Sequence, residues 1–336
     1  MAAPAFNRCD FERVWLPSAL IRVEHRAVLG GEGAGGRSGK HALHSDMLGV
    51  PLRISSNHDR ALEQAGIFCR PWQSPLAVGG AGGIALHLQV ETGRGKIGDV
   101  RIEADRSRLI LEGRGVRARA EAMPGRAACT LSMDWLESGR LTEIVEPLLL
   151  FLLAQQDRTP IHASAFLLDG IAIVLAGPSG TGKSCLAQAA HLAGLPLLSD
   201  DTIHVQRLPG LRIWGVPRPI HLYAADVRAE GAGPLQWRNG KLKQAVAVAS
   251  DRPVVAERGV LCLLSRGEAV ALKTIPGTSA KLPPLEPGFD LLARQSEDAF
   301  AALSRAGHAR LTLGNDPAEA IALLHANRAA LTRIAA

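Results

Sequence analysis

The chain has 336 residues, enough for two domains with buried cores. Its 47% hydrophobic and 21% charged residues are ordinary for a globular protein, and aromatics at 4% leave core packing to aliphatic side chains. The formal charge of +6 suits an anionic ligand such as ATP or an acidic peptide; with no RNA- or DNA-binding motif present, nucleic acid is not an expected partner.

Cys9, Cys69, Cys129, Cys185 and Cys262 are scattered and odd in number, with no C-x-x-C pair. This pattern points to reduced thiols and against a disulfide framework or a zinc site. Asp10 and Glu12 stand near the start without an apolar stretch beside them, so a secretory signal is not expected. The most apolar run, Leu148 to Ala154, is too short to span a bilayer. The expected setting is the cytoplasm, without a membrane.

In chain order, residues 1–26 hold scattered apolar positions and a Pro17-Ser18 turn signal, which read as a strand or two. Residues 29–40 are rich in glycine and mimic a phosphate loop, but Ala34 replaces the first required glycine and His41 follows Lys40. A linker or hairpin tip is the better reading. From about 42 to 133, short segments such as 83–90, 108–113 and 115–122 alternate in polarity between glycines, predicting an antiparallel sheet with one wet face. Residues 58–66 read as one helical interruption.

Asp134 to Gln156 reads as helix, with a kink or a break expected at Pro147. A strand over 158–168 and a tight turn at Asp169-Gly170 lead to Ile171–Ala176, an apolar run of the kind expected of a buried parallel strand. Next comes Gly177-Pro178-Ser179-Gly180-Thr181-Gly182-Lys183-Ser184, which fits G-x-x-x-x-G-K-[ST]. Cys185 to Leu192 follows as helix, with Gly194 as its C′ residue. Strand, glycine loop and helix are the context the phosphate-binding motif requires.

The glycines allow loop amides to face a phosphate, and the helix N-terminus adds free N–H groups and positive dipole. Lys183 would reach the β- and γ-phosphates, and Ser184 would ligate Mg²⁺. Cys185 closes the expected nucleotide-binding set Gly177–Cys185 in the first turn, where its thiol is either redox-sensitive or inert packing, the second being the plainer reading. Residues 197–199 form a short strand ending on Asp200-Asp201. By itself such a pair reads as a solvated turn; beside a phosphate loop it reads as a site at the carboxyl end of a strand.

Further strands are expected at 211–216 and 220–222, then a polar loop or lid over 224–256 in which Arg238, Lys241 and Lys243 read as basic surface positions. Strands at 259–264 and 270–272, a proline-rich connector over 276–287 and a helix over 289–306 follow. Asp316-Pro317-Ala318-Glu319 has the N-cap, N1 proline and N3 acid that open a last helix to about 334.

The block from Pro160 to Val205 resembles the HPr kinase/phosphorylase family and its related kinases. The matching features are His162 before the loop strand, the loop Gly177–Ser184, and Asp200-Asp201 ending the next strand. The family's acidic residue after the loop serine is replaced by Cys185, and its second signature is not found between Arg212 and Leu222. These departures resemble a diverged branch that includes kinases of lasso-peptide precursors.

The resemblance implies an α/β phosphate-loop domain of the PEP-carboxykinase and HPr-kinase type over 157–336. Ahead of it stand a β-rich N-terminal domain over 1–133 and a helical connector over 134–156. It implies ATP and Mg²⁺ as cofactors and a peptide or small protein presenting a serine as acceptor. Asp200 would be the general base, Asp201 a metal ligand with Ser184, and His162 would lie near the transferred phosphate; a satisfied turn histidine is the bland alternative. Arg218 is a candidate contact to the transition state or acceptor. A nucleotide-dependent regulatory module without phosphotransfer, a true HPr kinase/phosphorylase and a small-molecule kinase remain open. A homo-oligomer is compatible with the sequence.

Overall fold

A computed structural model describes residues 41–76, 83–93, 97–223, 227, 233–238, 241–248, 252–277 and 292–336. The strands expected within 1–26, the glycine-rich 29–40 segment and most of the 276–287 connector lie outside the described residues. The fold is mixed α/β with several sheets, and its contacts divide the chain into two units.

The first unit takes the described residues of Met1–Arg70 and Gly79–Leu152. Its strands are β1 (His41–Met47), β2 (Val50–Ser56), β3 (Ile84–Glu91), β4 (Val100–Ala104), β5 (Arg108–Gly113), β6 (Val116–Glu121) and β7 (Arg126–Ser132). They form one sheet in the order β1-β2-β3-β7-β6-β5-β4. Alternate residues are buried, for example Val116, Ala118 and Ala120 on β6, as the period-two pattern predicts. The expectation of a purely antiparallel sheet is corrected, because β2–β3 and β3–β7 pair in parallel. Helix α1 (Asp59–Cys69) crosses between β2 and β3, and a crossover returns the chain in the same direction.

The expected helix over 134–156 is two, α2 (Met133–Glu137) and α3 (Thr142–Gln155). The break lies at Gly139, whose φ is +72°, rather than at Pro147, which α3 contains. Leu148, Leu149, Phe151, Leu152 and Leu153 are all buried, and this burial favours the helix over what the proline costs it.

The second unit takes the described residues of Pro71–Val78 and Leu153–Ala336. Its central sheet holds β9 (Ser164–Leu168), β10 (Ile171–Ala176), β11 (Leu197–Ser199), β18 (Gly259–Arg266), β19 (Ala271–Pro276) and β20 (Gly307–Leu313). The order is β11-β9-β10-β18-β20-β19, with β10, β18 and β20 parallel. A four-stranded antiparallel sheet orders β17 (Val254–Ala256), β13 (Arg212–Gly215), β12 (Thr202–Gln206) and β8 (Thr159–His162). A third, smaller sheet orders β14 (Ile220–Leu222), β16 (Lys241–Val246) and β15 (Leu235–Arg238). The described part of the expected lid over 224–256 therefore contains a hairpin and an edge strand.

All six residues of β10 are buried because both faces are covered. Ile171, Ile173 and Leu175 pack with Leu186, Ala187 and Ala190 of α4 (Lys183–Leu192). Ala172, Val174 and Ala176 pack with Ile203, Val205 and Ile213 of the four-stranded sheet and with Phe300 of α5 (Ala293–Leu303). The C-terminal helix is divided at Asn327 into α6 (Pro317–Ala326) and α7 (Arg328–Ile334), with Asp316 capping α6 as its sequence predicts. The single helix expected to about 334 is corrected to that extent.

Candidate functional site

The glycine loop Gly177–Ser184 runs from strand β10 into helix α4. Asp169 and Gly170 take φ of +49° and +79°, the left-handed pair of a two-residue hairpin, and return the chain as β10 beside β9. At the other end Gly182, with φ of +103°, is the N-cap of α4 and has no side chain to satisfy the first amides. Gly180 has φ of +86° and nothing within 4 Å of where a Cβ would stand. The Thr181 hydroxyl donates to the Pro178 carbonyl at 2.8 Å, tightening the turn. Lys183 is buried and folded over its own loop, its Nζ donating to the Gly177 carbonyl at 2.7 Å and to that of Pro178 at 3.3 Å.

The Asp pair stands where the chain changes sheets. β11 runs parallel in sense to β10, since each is antiparallel to β9, so their carboxyl ends share one edge. After Ser199 the chain leaves the central sheet, passes Asp200 and Asp201, and enters the four-stranded sheet as β12. The expected 158–168 strand makes the same change at Ala163 and is two strands, β8 and β9. The two crossings are tied by Ser164, whose hydroxyl donates to the Asp200 carbonyl oxygen. His162 and Thr202 are cross-strand partners, and His162 Nδ1 lies 3.4 Å from Asp201 Oδ1.

Asp200 is buried, and its carboxyl is pushed up to about 6, first by burial and then by the neighbouring Asp201 charge. Three features act in the opposite sense. The His221 amide donates to Oδ2 at 3.1 Å, the nearby Ser184 hydroxyl favours the charged form, and the Lys243 ammonium adds positive charge. A carboxyl with a pKa near 6 is mostly ionised at neutrality yet binds a proton more readily than an ordinary carboxylate.

The structure thus brings together Gly177, Pro178, Ser179, Gly180, Thr181, Gly182, Lys183 and Ser184 as one loop and first turn, with Asp200 on the same sheet edge. His162 and Asp201 stand together beside it. Cys185 is half-buried and packs on the apolar side of α4. Arg218 places its guanidinium 5.3 Å over the Trp72 ring, which itself meets buried His204 edge-on at 5.6 Å. Trp72 belongs to the short segment that packs with this unit. Lys243, read from sequence as a surface charge, is half-buried on β16, stacked 5.8 Å from the Tyr223 ring and acting on Asp200. Its signal in the sequence is weak: alternation in 241–246 marks a strand, but nothing local marks its effect on Asp200. Ser164 and the His221 amide were likewise invisible, being set by tertiary pairing.

The oxygen donors suit magnesium, a hard ion commonly held by one or two carboxylates together with substrate phosphates. The Ser184 hydroxyl acts on the Asp200 carboxylate, and Asp201 is the next residue. Among the described residues there is no cluster of three or more His, Cys, Asp or Glu side chains that would hold a metal unaided. A Cβ at Gly177 would lie 3.1 Å from the Thr181 hydroxyl and 3.2 Å from the Leu264 carbonyl oxygen, so a side chain there would crowd the loop against β18. Among the described residues no helix is long and apolar enough to cross a membrane.

No family model matches the chain, and no curated protein does. Among solved structures, the Hpr(Ser) kinase/phosphatase from Coxiella burnetii is similar at 14% identity and a TM-score of 0.29, over 52% of this chain and 91% of that one. At that identity and TM-score the likeness carries no argument about function.

Proposed function

We propose that the chain is an ATP- and magnesium-dependent serine kinase of peptides or small proteins, with the activity in residues 157–336. One observation carries the reading. A buried carboxylate, Asp200, follows the carboxyl end of β11 on the same sheet edge as the loop after β10, and burial raises its affinity for protons toward the range of a general base. A loop that only bound nucleotide would have no use for a proton acceptor at that place.

Lys183 and the loop amides bind the phosphate chain and offset its charge. Asp200 takes the proton from the acceptor serine as its oxygen bonds to the γ-phosphorus. The bond from that phosphorus to the β,γ-bridging oxygen breaks, and ADP carries away the electron pair. Ser184 and Asp201 would hold magnesium, which would supply neutralisation of the phosphate charge. His162 orients Asp201 across their 3.4 Å contact. The departures from the family pattern at Cys185 and over 212–222 favour a precursor peptide as acceptor over a carbohydrate-regulatory protein.

The test is mass spectrometry after incubation with ATP, Mg²⁺ and candidate serine-containing peptides, with Lys183→Ala in parallel. A gain of about 80 mass units on a peptide serine, absent with the variant, is the expected result, since phosphoryl transfer adds one phosphoryl group. Binding of ATP without transfer to any acceptor would shift the assignment to a regulatory module. Reversal by inorganic phosphate with release of pyrophosphate would instead mark an HPr kinase/phosphorylase.

A further inference from the structure

The parallel strands β10, β18 and β20 present their carboxyl ends along one edge, and the phosphate loop leaves that edge from β10. Ala176, the last residue of β10, is level with Leu263 of β18. Strand β18 continues past it to Arg266, so its final turn of side chains stands alongside the loop. The Arg266 guanidinium bridges two features there. Nη1 donates to the Gly314 carbonyl at 3.0 Å, just beyond β20. Nη2 lies 2.7 Å from the place a Cβ on Gly182 would take.

A cation at this place is in an unfavourable field. Gly182 opens α4, so the positive end of the helix dipole points at it, and Lys183 is the next residue. Among the described residues no carboxylate pairs with Arg266; its hydrogen bond goes to a neutral carbonyl. A shared anion relieves both repulsions, and a guanidinium can hold a carbonyl with one nitrogen while offering another to a phosphate oxygen. The sheet order places Arg266 and the Asp pair on opposite flanks of the loop, since β11 lies to one side of β10 and β18 to the other.

We propose that Arg266 is a second phosphate-binding cation of the loop, gripping the phosphate chain of a nucleoside di- or triphosphate from the Gly182 side. The grip retains the nucleotide while phosphoryl transfer takes place at the Asp200 side. It rests on the nucleotide-binding reading of the loop.

The experiment is isothermal titration calorimetry of the full chain with ADP and, separately, with inorganic pyrophosphate. Parent, Arg266→Gln and Arg266→Lys are compared, with the unfolding temperature of each ligand-free protein recorded. Arg266→Gln is expected to weaken both ligands by about tenfold, the loss of one charge-assisted hydrogen bond, and Arg266→Lys to recover part of it. Binding of both ligands by Arg266→Gln as by the parent overturns the proposal and leaves the loop reading intact. Weakened ADP with unchanged pyrophosphate also overturns it, since the contact would then be to ribose or base. A parent that binds neither ligand removes the loop reading and the proposal together. Should Arg266→Gln not fold, Arg266→Lys decides, because parental affinity without the planar fork overturns the proposal and a loss of about threefold supports it.

Discussion

Ser184 lies in the first turn of the helix after the glycine loop, Asp200 follows a different strand, and the hydroxyl of the first favours the charged form of the carboxylate of the second. Ser184→Ala should therefore raise the Asp200 pKa above about 6 and move the acid limb of the pH–rate profile to higher pH, while Ser184→Thr keeps it in place. The profile of kcat/KM for peptide phosphorylation reads the shift.

Asp200 itself couples stability to pH. Its pKa is raised from 3.8 to about 6, so between those values the folded chain holds a proton that the unfolded chain releases. Its contribution to stability is complete below about 4 and is lost as pH rises through about 6. A shift of about two pKa units corresponds to a loss on the order of 3 kcal/mol. Urea unfolding of Asp200→Asn should show a flatter pH dependence across this window than the parent. The same variant should transfer phosphate at least 10²-fold more slowly, roughly the contribution of a positioned base, and bind ADP within a few-fold of the parent.

Lys243 offers a milder perturbation of the same carboxyl. Lys243→Gln removes a positive charge that lowers the Asp200 pKa, so the acid limb should again move upward, and Lys243→Arg should restore it. Since the side chain is half-buried and rests on Tyr223, the thermal unfolding midpoint should move little.

Two glycines of the loop should separate backbone strain from crowding. Gly180→Ala meets open space, so only its φ of +86° opposes the change, at about 1 kcal/mol. Gly182→Ala adds a Cβ 2.7 Å from Arg266 Nη2 and 3.1 Å from Leu313 Cδ1, and should cost roughly twice as much. Equal losses in denaturant unfolding would contradict the packing of Arg266 on the loop.

Much of this protein is legible along the chain, because the relevant physics is short-ranged. Apolar runs bounded by glycine gave β10, and helix-forming residues gave α4. Asp169-Gly170 specified a hairpin because both positions accept positive φ, and Asp316-Pro317 specified the start of α6 because cap and first turn are neighbours. The loop between β10 and α4 therefore follows from residues within one strand and one helix of each other.

Tertiary structure alone decided what surrounds that loop. The seven-stranded sheet is mixed because α1 crosses from β2 to β3, and no alternation within a strand records the direction of its neighbour. The chain changes sheets at Ala163 and again at Asp200, burying a carboxylate that its sequence neighbours would leave in a solvated turn. Lys243 on β16 adds its charge to the field at Asp200, and Arg266 reaches Gly182 from β18, through strand order. A sequence states which residues can fold locally; the proton affinity of Asp200 depends on burial and on charges from distant segments, which exist only once the sheets have closed around it.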